Sequence, residues 1–258
     1  MLIGSLSVDH AVAHQVTRPR VLFIHGYFAT ANVWTEWLPF FAARGFPAYA
    51  VNLRGRAGSM PDIDLGRASI QDFVDDAASV AAHFDAPPLV VGHSMGGLVA
   101  QCLAARGLAR AAALITPAPP RGIPVLTPRV AIKQLKYLPA IVRSRLVVPD
   151  REDLRTLVLN RVPHDAQDAM LDQLVPDSGR AGRDMSLTGV PVDAARVRCP
   201  MLAVTADDDR FVPQHVVAKV ARRYAAPLHT FKDHGHMIVN EPEWETLADL
   251  VARWFDGL

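Results

Sequence analysis

The stretch "PPLVVGHSMGG" at residues 87–97 runs from two prolines through a short apolar, β-branched segment to a serine flanked at two positions on either side by Gly92 and Gly96. An ordinary surface loop tolerates any polar residue. The spacing G-x-S-x-G instead suits a turn from strand into helix so sharp that side chains are excluded on both sides of the serine. The segment that follows, "GGLVAQCLAARG", has the composition of a buried helix. Strand, turn and helix together place Ser94 at the apex, exposed to whatever lies above a sheet.

Working outward, the same alternation recurs. Short apolar runs at "VLFIHG" (21–26), "AYAVNLRG" (48–55), "PLVVGH" (88–93), "AALITP" (112–117), "MLAVTA" (201–206) and "LHTF" (228–231) are bounded by Gly, Pro or Asp, as buried parallel strands are. Helical segments separate them. "NVWTEWLPFFAARG" ends on Gly45 as a C-terminal cap, and "ASIQDFVDDAASVAAHF" keeps its apolar positions three and four apart. The pattern predicts an α/β fold with a mostly parallel sheet flanked by helices, whose ligands bind at the carboxyl ends of the strands.

The alternation stops after residue 117. A Pro-rich stretch, "PAPPRGIPVLTP", leads into helical segments at "RVAIKQLKYLPAIVRSRL", at "REDLRTLVLN" behind a capping Asp150, and at "HDAQDAMLDQLV", with no strand-like run between them. The expected organisation is a core of residues 1–117 and 196–258, with residues 118–195 as a helical cap or lid over the strand ends. A longer crossover within the same sheet is the alternative.

Composition narrows the partners. At 258 residues, 50% hydrophobic and 21% charged, with a formal net charge of +1, the chain has a large core and no basic block to recruit nucleic acid or an anionic membrane. A small, mostly neutral molecule is the expected ligand. Cys102 and Cys199 are expected as buried thiols rather than a disulfide. The N-terminal "MLIGSLSVDHAVAHQV" lacks a basic start, Asp9 and His10 interrupt it, and no run approaches the about 20 apolar residues of a membrane span, so a cytoplasmic protein without an integral membrane segment is expected. "HGH" and "DDD" are not accompanied by a helical H-x-x-x-H or a cysteine pair; neither metal nor cofactor is expected.

A nucleophilic serine needs a base, an orienting acid and donors for the developing oxyanion. Downstream, "DHGHMIVNEP" places His234 and His236 in a loop just before the C-terminal helix "EWETLADLVARWF", and "TADDDRFVP" places Asp207, Asp208 and Asp209 at the end of a strand. The order Ser, Asp, His is that of the α/β-hydrolase triad.

With "HG" at 25–26, "NLRGRAGS" at 52–59, "GHSMGG" at 92–97, "DDDRFVP" at 207–213 and "GHMIVNEP" at 235–242, the chain resembles the α/β-hydrolases of the serine esterase and lipase type over nearly all of its length apart from the lid. The resemblance implies Ser94 as nucleophile, His236 as base from its "GH" pair, and Asp209, four positions ahead of Pro213, as acid. It also implies an oxyanion hole from the backbone N–H of Tyr27, or of Phe28 if the loop is wound one residue differently, and of Met95 at the helix start, where the dipole favours negative charge. His25 orders the oxyanion loop in this picture, and His93 is packed or hydrogen-bonded rather than catalytic. His10, His14, His83, His164, His215 and His229 match no motif and are read as surface or local structural residues.

The chain departs from the family at "NLRGRAGS", where Asn52 replaces an acid and "RAG" replaces "HG" in a loop that borders the family's pocket. A serine nucleophile argues against the dehalogenase and epoxide hydrolase relatives, which use a carboxylate. The expected activity is hydrolysis, through an acyl-enzyme on Ser94, of carboxylic esters with small to medium apolar acyl or aromatic groups. Asn, Gln, Arg and Lys are not concentrated near the site, and Lys133, Lys136, Arg143, Arg145, Arg151 and Arg155 read as a solvated helix face. Thioesters, lactones, C–C bonds and acyl transfer suit the same triad, and a non-catalytic receptor is the rival of another class.

Overall fold

The computed structural model describes residues 1–13, 15–125 and 128–258, so that His14, Leu126 and Thr127 lie outside the described residues. The strands are β1 (Leu2–Ile3), β2 (Leu6–Ala11), β3 (Val21–Ile24), β4 (Ala48–Val51), β5 (Leu89–His93), β6 (Ala111–Ile115), β7 (Leu146–Val147), β8 (Asp177–Ser178), β9 (Met201–Ala206) and β10 (Leu228–Phe231). The helices are α1 (Trp37–Ala43), α2 (Ile70–Ala82), α3 (Met95–Ala105), α4 (Pro128–Gln134), α5 (Leu138–Val142), α6 (Arg151–Leu157), α7 (His164–Asp172), α8 (Gly179–Arg183), α9 (Gln214–Arg223) and α10 (Trp244–Asp256). Eight strands form one sheet in the order β1-β2-β4-β3-β5-β6-β9-β10. Within this sheet, among the described residues, only the β1–β2 and β2–β4 pairings are antiparallel.

Register decides where chemistry can happen. Ile24 pairs with Gly92, Ile115 with His93 and with Val204, and Phe231 with Ala206. The carboxyl ends of β3, β5, β6, β9 and β10 are therefore level. Every segment that leaves this edge, including those carrying Tyr27, Ser94, Asp209 and His236, begins from one line.

The continuous apolar runs are explained by burial on both faces. Val21 and Phe23 point into the core shared with α1 and α10, while Leu22 and Ile24, one residue out of phase, point into the core shared with α2 and α3. On the first face Phe23 meets Trp34 and Phe41 at ring-centroid separations of 5.1 and 5.2 Å, close enough for edge and tilted aromatic contacts worth about 1 kcal/mol each beyond their area. On the second, α2 starts on a capping box: Ser69 Oγ accepts from Asp72 N–H at 3.1 Å and Asp72 Oδ2 accepts from Ser69 N–H at 2.8 Å.

Between β6 and β9 the chain makes a long excursion through α4 to α8 that adds no strand to the main sheet. Within it β7 and β8 form a separate two-stranded pairing, Leu146 opposite Ser178 and Val147 opposite Asp177. That corrects the expectation of a strand-free helical stretch; two residues per strand are too few to leave a periodic signal. Cys199 is half-buried rather than buried, while Cys102 is buried in α3. Among the described residues no helix is long and apolar enough to cross a membrane.

Candidate active site

The glycines around Ser94 are there because the backbones meet. A Cβ on Gly92 would stand 2.3 Å from the Gly96 carbonyl oxygen, and one on Gly96 would stand 2.1 Å from that of Ile24. Between them Ser94 adopts φ +53°, ψ −117°, a region L-residues avoid at a cost of about 1–3 kcal/mol. The surrounding bonds enforce it: Ser94 N–H donates to Ile115 O at 3.0 Å, and Ser94 O accepts from the N–H groups of Gly97 and Ala118, both at 2.9 Å. The turn throws the side chain upward from the sheet and leaves Met95 as the first residue of α3.

Above the strand ends three sequence-distant residues meet. Ser94 Oγ is 2.9 Å from His236 Nε2, and His236 Nδ1 is 2.8 Å from Asp209 Oδ2. A carboxylate only accepts, so Nδ1 carries the proton and Nε2 is left to accept from the serine hydroxyl. Asp209 Oδ1 accepts from the N–H groups of Phe211 and Val212, each at 2.8 Å, which fixes the plane of the carboxylate. Asp208 faces elsewhere, toward Arg161, Arg210 and Asn160. His234 has both ring nitrogens on backbone carbonyls, of Lys232 and Pro242. Asp207 accepts from the N–H of Asp233 at 2.8 Å.

His93 and His25 hold backbone. His93 Nε2–H donates to His236 O at 2.8 Å, with Thr116 Oγ1 donating to the same oxygen at 3.3 Å, so His236 is anchored through its carbonyl as well as its ring. Burial, reinforced by His236, holds the His93 imidazole at a pKa of about 3. His25 accepts from Leu53 N–H through Nε2 at 3.3 Å and donates through Nδ1 to Gly26 O at 2.8 Å; burial and then Arg56 depress it to about 3 as well. Both rings are neutral struts. Thr116 and His93 acting on one carbonyl is a contact that the sequence does not announce.

The turn at Gly26 to Phe28 runs against Ser94, since a Cβ on Gly26 would lie 3.2 Å from Ser94 Cβ. Phe28 N–H donates to Asp177 Oδ2 at 2.8 Å and is thereby committed. Among the described residues the N–H groups of Tyr27 and Met95 have no hydrogen-bond partner. Tyr27 follows Gly26, whose backbone abuts Ser94, and Met95 follows Ser94 in the chain.

A cavity of about 560 Å³ opens from Ser94 and His236 and is walled mainly by apolar side chains of the excursion, among them Val130, Leu154, Val158, Ala166 and Met170, with Phe28 and Met237 from the core. None of residues 52–59 lines it, which corrects the expectation that "NLRGRAGS" borders the pocket. Asn52 instead accepts from the N–H of Ala31 at 2.8 Å. Nor are amides absent. Asn32, Gln173 and Asn240 share one wall: Asn32 Nδ2–H donates to Gln173 Oε1, Asn240 Nδ2–H donates to Val33 O, both at 2.9 Å, and Asn240 Oδ1 is a buried acceptor without a partner among the described residues. They come from three remote segments, so no local run of sequence showed them together. Lys133 also lines the cavity, but its charge is engaged by Asp153 at 2.7 Å. Lys136, Arg151 and Arg155 likewise pair with aspartates, so these basic residues form ion pairs rather than a bare cationic patch. Among the described residues no group of three or more His, Cys, Asp or Glu side chains is arranged to hold a metal ion.

Glu241 bonds the backbone just before His236. Its Oε2 accepts from Gly235 N–H at 2.8 Å, while Oε1 and Asn160 Oδ1, each 2.9 Å from where a Gly235 Cβ would be, are buried acceptors without partners among the described residues. Burial pushes this carboxyl above its ordinary 4.5, against the Gly235 N–H and the neighbouring histidines. A pKa raised by folding means stability that is present below 4.5 and lost as pH rises through the folded-state value. Glu241→Gln keeps an acceptor for Gly235 and offers an N–H toward Asn160. It is expected to raise Tm by about 3 °C at pH 8 and hardly at all at pH 4, a contrast that thermal melts at the two pH values check.

The model of the alpha/beta hydrolase family matches residues 21–250. A monoacylglycerol lipase of Mycolicibacterium smegmatis is 27% identical over 267 aligned residues, spanning 98% of this chain and 94% of that one. Among solved structures, a monoacylglycerol lipase of Paleococcus ferrophilus superposes with a TM-score of 0.74 at 20% identity, covering 97% of this chain and 98% of its own. A thermophilic esterase of Thermogutta terrifontis gives a TM-score of 0.74 at 18% identity, covering 98% and 93%.

Proposed function

We propose, from the premise that this chain belongs to the alpha/beta hydrolase family, that it hydrolyses carboxylic esters through an acyl-enzyme on Ser94. The observation that carries this reading is the unbroken line Ser94 Oγ, His236, Asp209 at 2.9 and 2.8 Å, with two uncommitted backbone donors beside it. Ser94 Oγ attacks the ester carbonyl carbon while His236 Nε2 takes its proton. The tetrahedral oxyanion is received by the N–H groups of Tyr27 and Met95, in an environment where a fixed donor is worth about 100-fold or more in rate. His236 then protonates the departing alcohol. In the second half, water delivers its proton to His236 and its oxygen to the acyl carbon, and Ser94 leaves with its proton restored. Asp209 keeps the imidazole in the tautomer both halves need.

Residues 118–195 act in this reading as a cap whose apolar wall receives the acyl chain. The amides of Asn32, Gln173 and Asn240 suit a hydroxylated alcohol portion, and the likeness to monoacylglycerol lipases supports a monoacylglycerol-type ester. The test is initial rates on p-nitrophenyl esters from acetate to palmitate and on monoacylglycerols of matching chain length. Turnover with an optimum at intermediate chain length is expected; a folded protein that turns over neither series overturns the reading. In Ala166→Phe, which fills part of the cavity, kcat/KM is expected to fall about tenfold or more for long-chain esters and to stay near the parent's value for acetate.

A further inference from the structure

Arg56 and Asp177 form an ion pair whose side chains are both 0% exposed. Arg56 Nη2–H donates to Asp177 Oδ1 and Nη1–H to Arg54 O at 3.0 Å, and the guanidinium carbon stands 4.6 Å from the centre of the Phe73 ring. A buried ion pair is weak evidence for stability, because apolar residues of similar volume replace such pairs without loss. What sets this one apart is where the second carboxylate oxygen goes. Asp177 Oδ2 accepts from Phe28 N–H, Phe28 O accepts from Val175 N–H at 2.9 Å, and Tyr27 Oη–H donates to Ser178 O at 2.6 Å. Residues 175–178 thus grip the turn at Tyr27 and Phe28 at three points. Phe28 is at φ +64°, a left-handed conformation that a bulky residue holds only when its surroundings impose it.

We propose that Arg56 and Asp177 are positioning residues for the oxyanion hole. Asp177 holds the Phe28 N–H away from the substrate, which leaves the Tyr27 N–H as the donor directed at Ser94, and Arg56 holds the Asp177 side chain in place through its other oxygen. The pair spans the loop after β4 and the excursion between β6 and β9, so the excursion shapes catalytic geometry as well as covering the cavity. The assignment rests on the reading of Ser94 as an ester-cleaving nucleophile.

The test compares the parent with the double variant Arg56→Met/Asp177→Leu, which removes both charges at similar volume, and with Arg56→Lys, which keeps a cationic donor for Asp177 Oδ1 and leaves Oδ2 to the Phe28 N–H. Rates are taken per active site titrated with a fluorophosphonate, so that incompletely folded material does not enter. For the double variant kcat is expected to fall about 10- to 100-fold with KM within about twofold, and affinity for an alkyl boronic acid to weaken by the same factor as kcat. Arg56→Lys is expected to stay within about tenfold of the parent kcat. A double variant with the parental kcat, a loss confined to KM, or an Arg56→Lys protein as impaired as the double variant overturns the assignment. A double variant with no titratable site assigns the pair to folding and overturns it too. A parent that cleaves no ester fails the underlying reading instead, which separates the two failures.

Discussion

Ser94→Ala is expected to lower ester turnover by about a millionfold while the protein stays folded. The substitution removes one oxygen atom, the one 2.9 Å from His236 Nε2, and leaves every backbone bond that pins the turn. Alanine meets the same penalty at φ +53° as serine does, so stability should move by less than about 1 kcal/mol. The rate behaves differently because in the proposed mechanism Ser94 and His236 act as a unit; what survives the loss of one is oxyanion stabilisation and binding alone, about 10³- to 10⁴-fold over water. Circular dichroism and initial rates measured side by side check both halves. A folded variant with more than a hundredth of the parent's rate would remove Ser94 from the mechanism.

Asp209→Asn is expected to cost about 10⁴-fold in kcat with little change in KM, and its neighbourhood explains why. Oδ1 of Asp209 accepts two N–H groups, from Phe211 and Val212, and only an oxygen can take that place. The asparagine is therefore forced to turn its NH₂ toward His236 Nδ1. The imidazole must then accept at Nδ1 and carry its proton on Nε2, the tautomer that cannot receive the serine proton. Asp208→Asn is the control one residue away. Because Asp208 contacts Arg161, Arg210 and Asn160 instead of the base, its kcat is expected to stay within about threefold. Steady-state kinetics on one p-nitrophenyl ester distinguish the two.

The α/β-hydrolase architecture was legible because its strands are buried on both faces and so read as uninterrupted apolar runs ended by Gly, Pro or Asp. What lay outside that signature was missed. β1 and β2 pair antiparallel at the sheet's edge, where β2 alternates burial with exposure. α9 buries only Val216, Val217, Val220 and Ala221, an apolar stripe thinned by His215, Lys219, Arg222 and Arg223, so it forms no continuous apolar run. Within the site, Ser94 and His236 stand out by local spacing, while the bond that engages the Phe28 N–H comes from Asp177, 149 residues away in sequence. Arg56 was visible only as an oddity of the "RAG" triplet, because its partner is 121 residues away. The amide wall has the same cause: Asn32 and Gln173 are 141 residues apart. Local chemistry is written in runs, whereas positioning and recognition are written in pairs that only the fold brings together.

The most direct test of the central claim is covalent. Incubating the protein with a fluorophosphonate and weighing it by intact-protein mass spectrometry should give a single adduct, mapped by peptide sequencing to Ser94, absent in Ser94→Ala and slowed by at least about a thousandfold in His236→Ala. An adduct on another residue, or labelling of Ser94→Ala at the parent's rate, would contradict a nucleophile activated by His236 and Asp209.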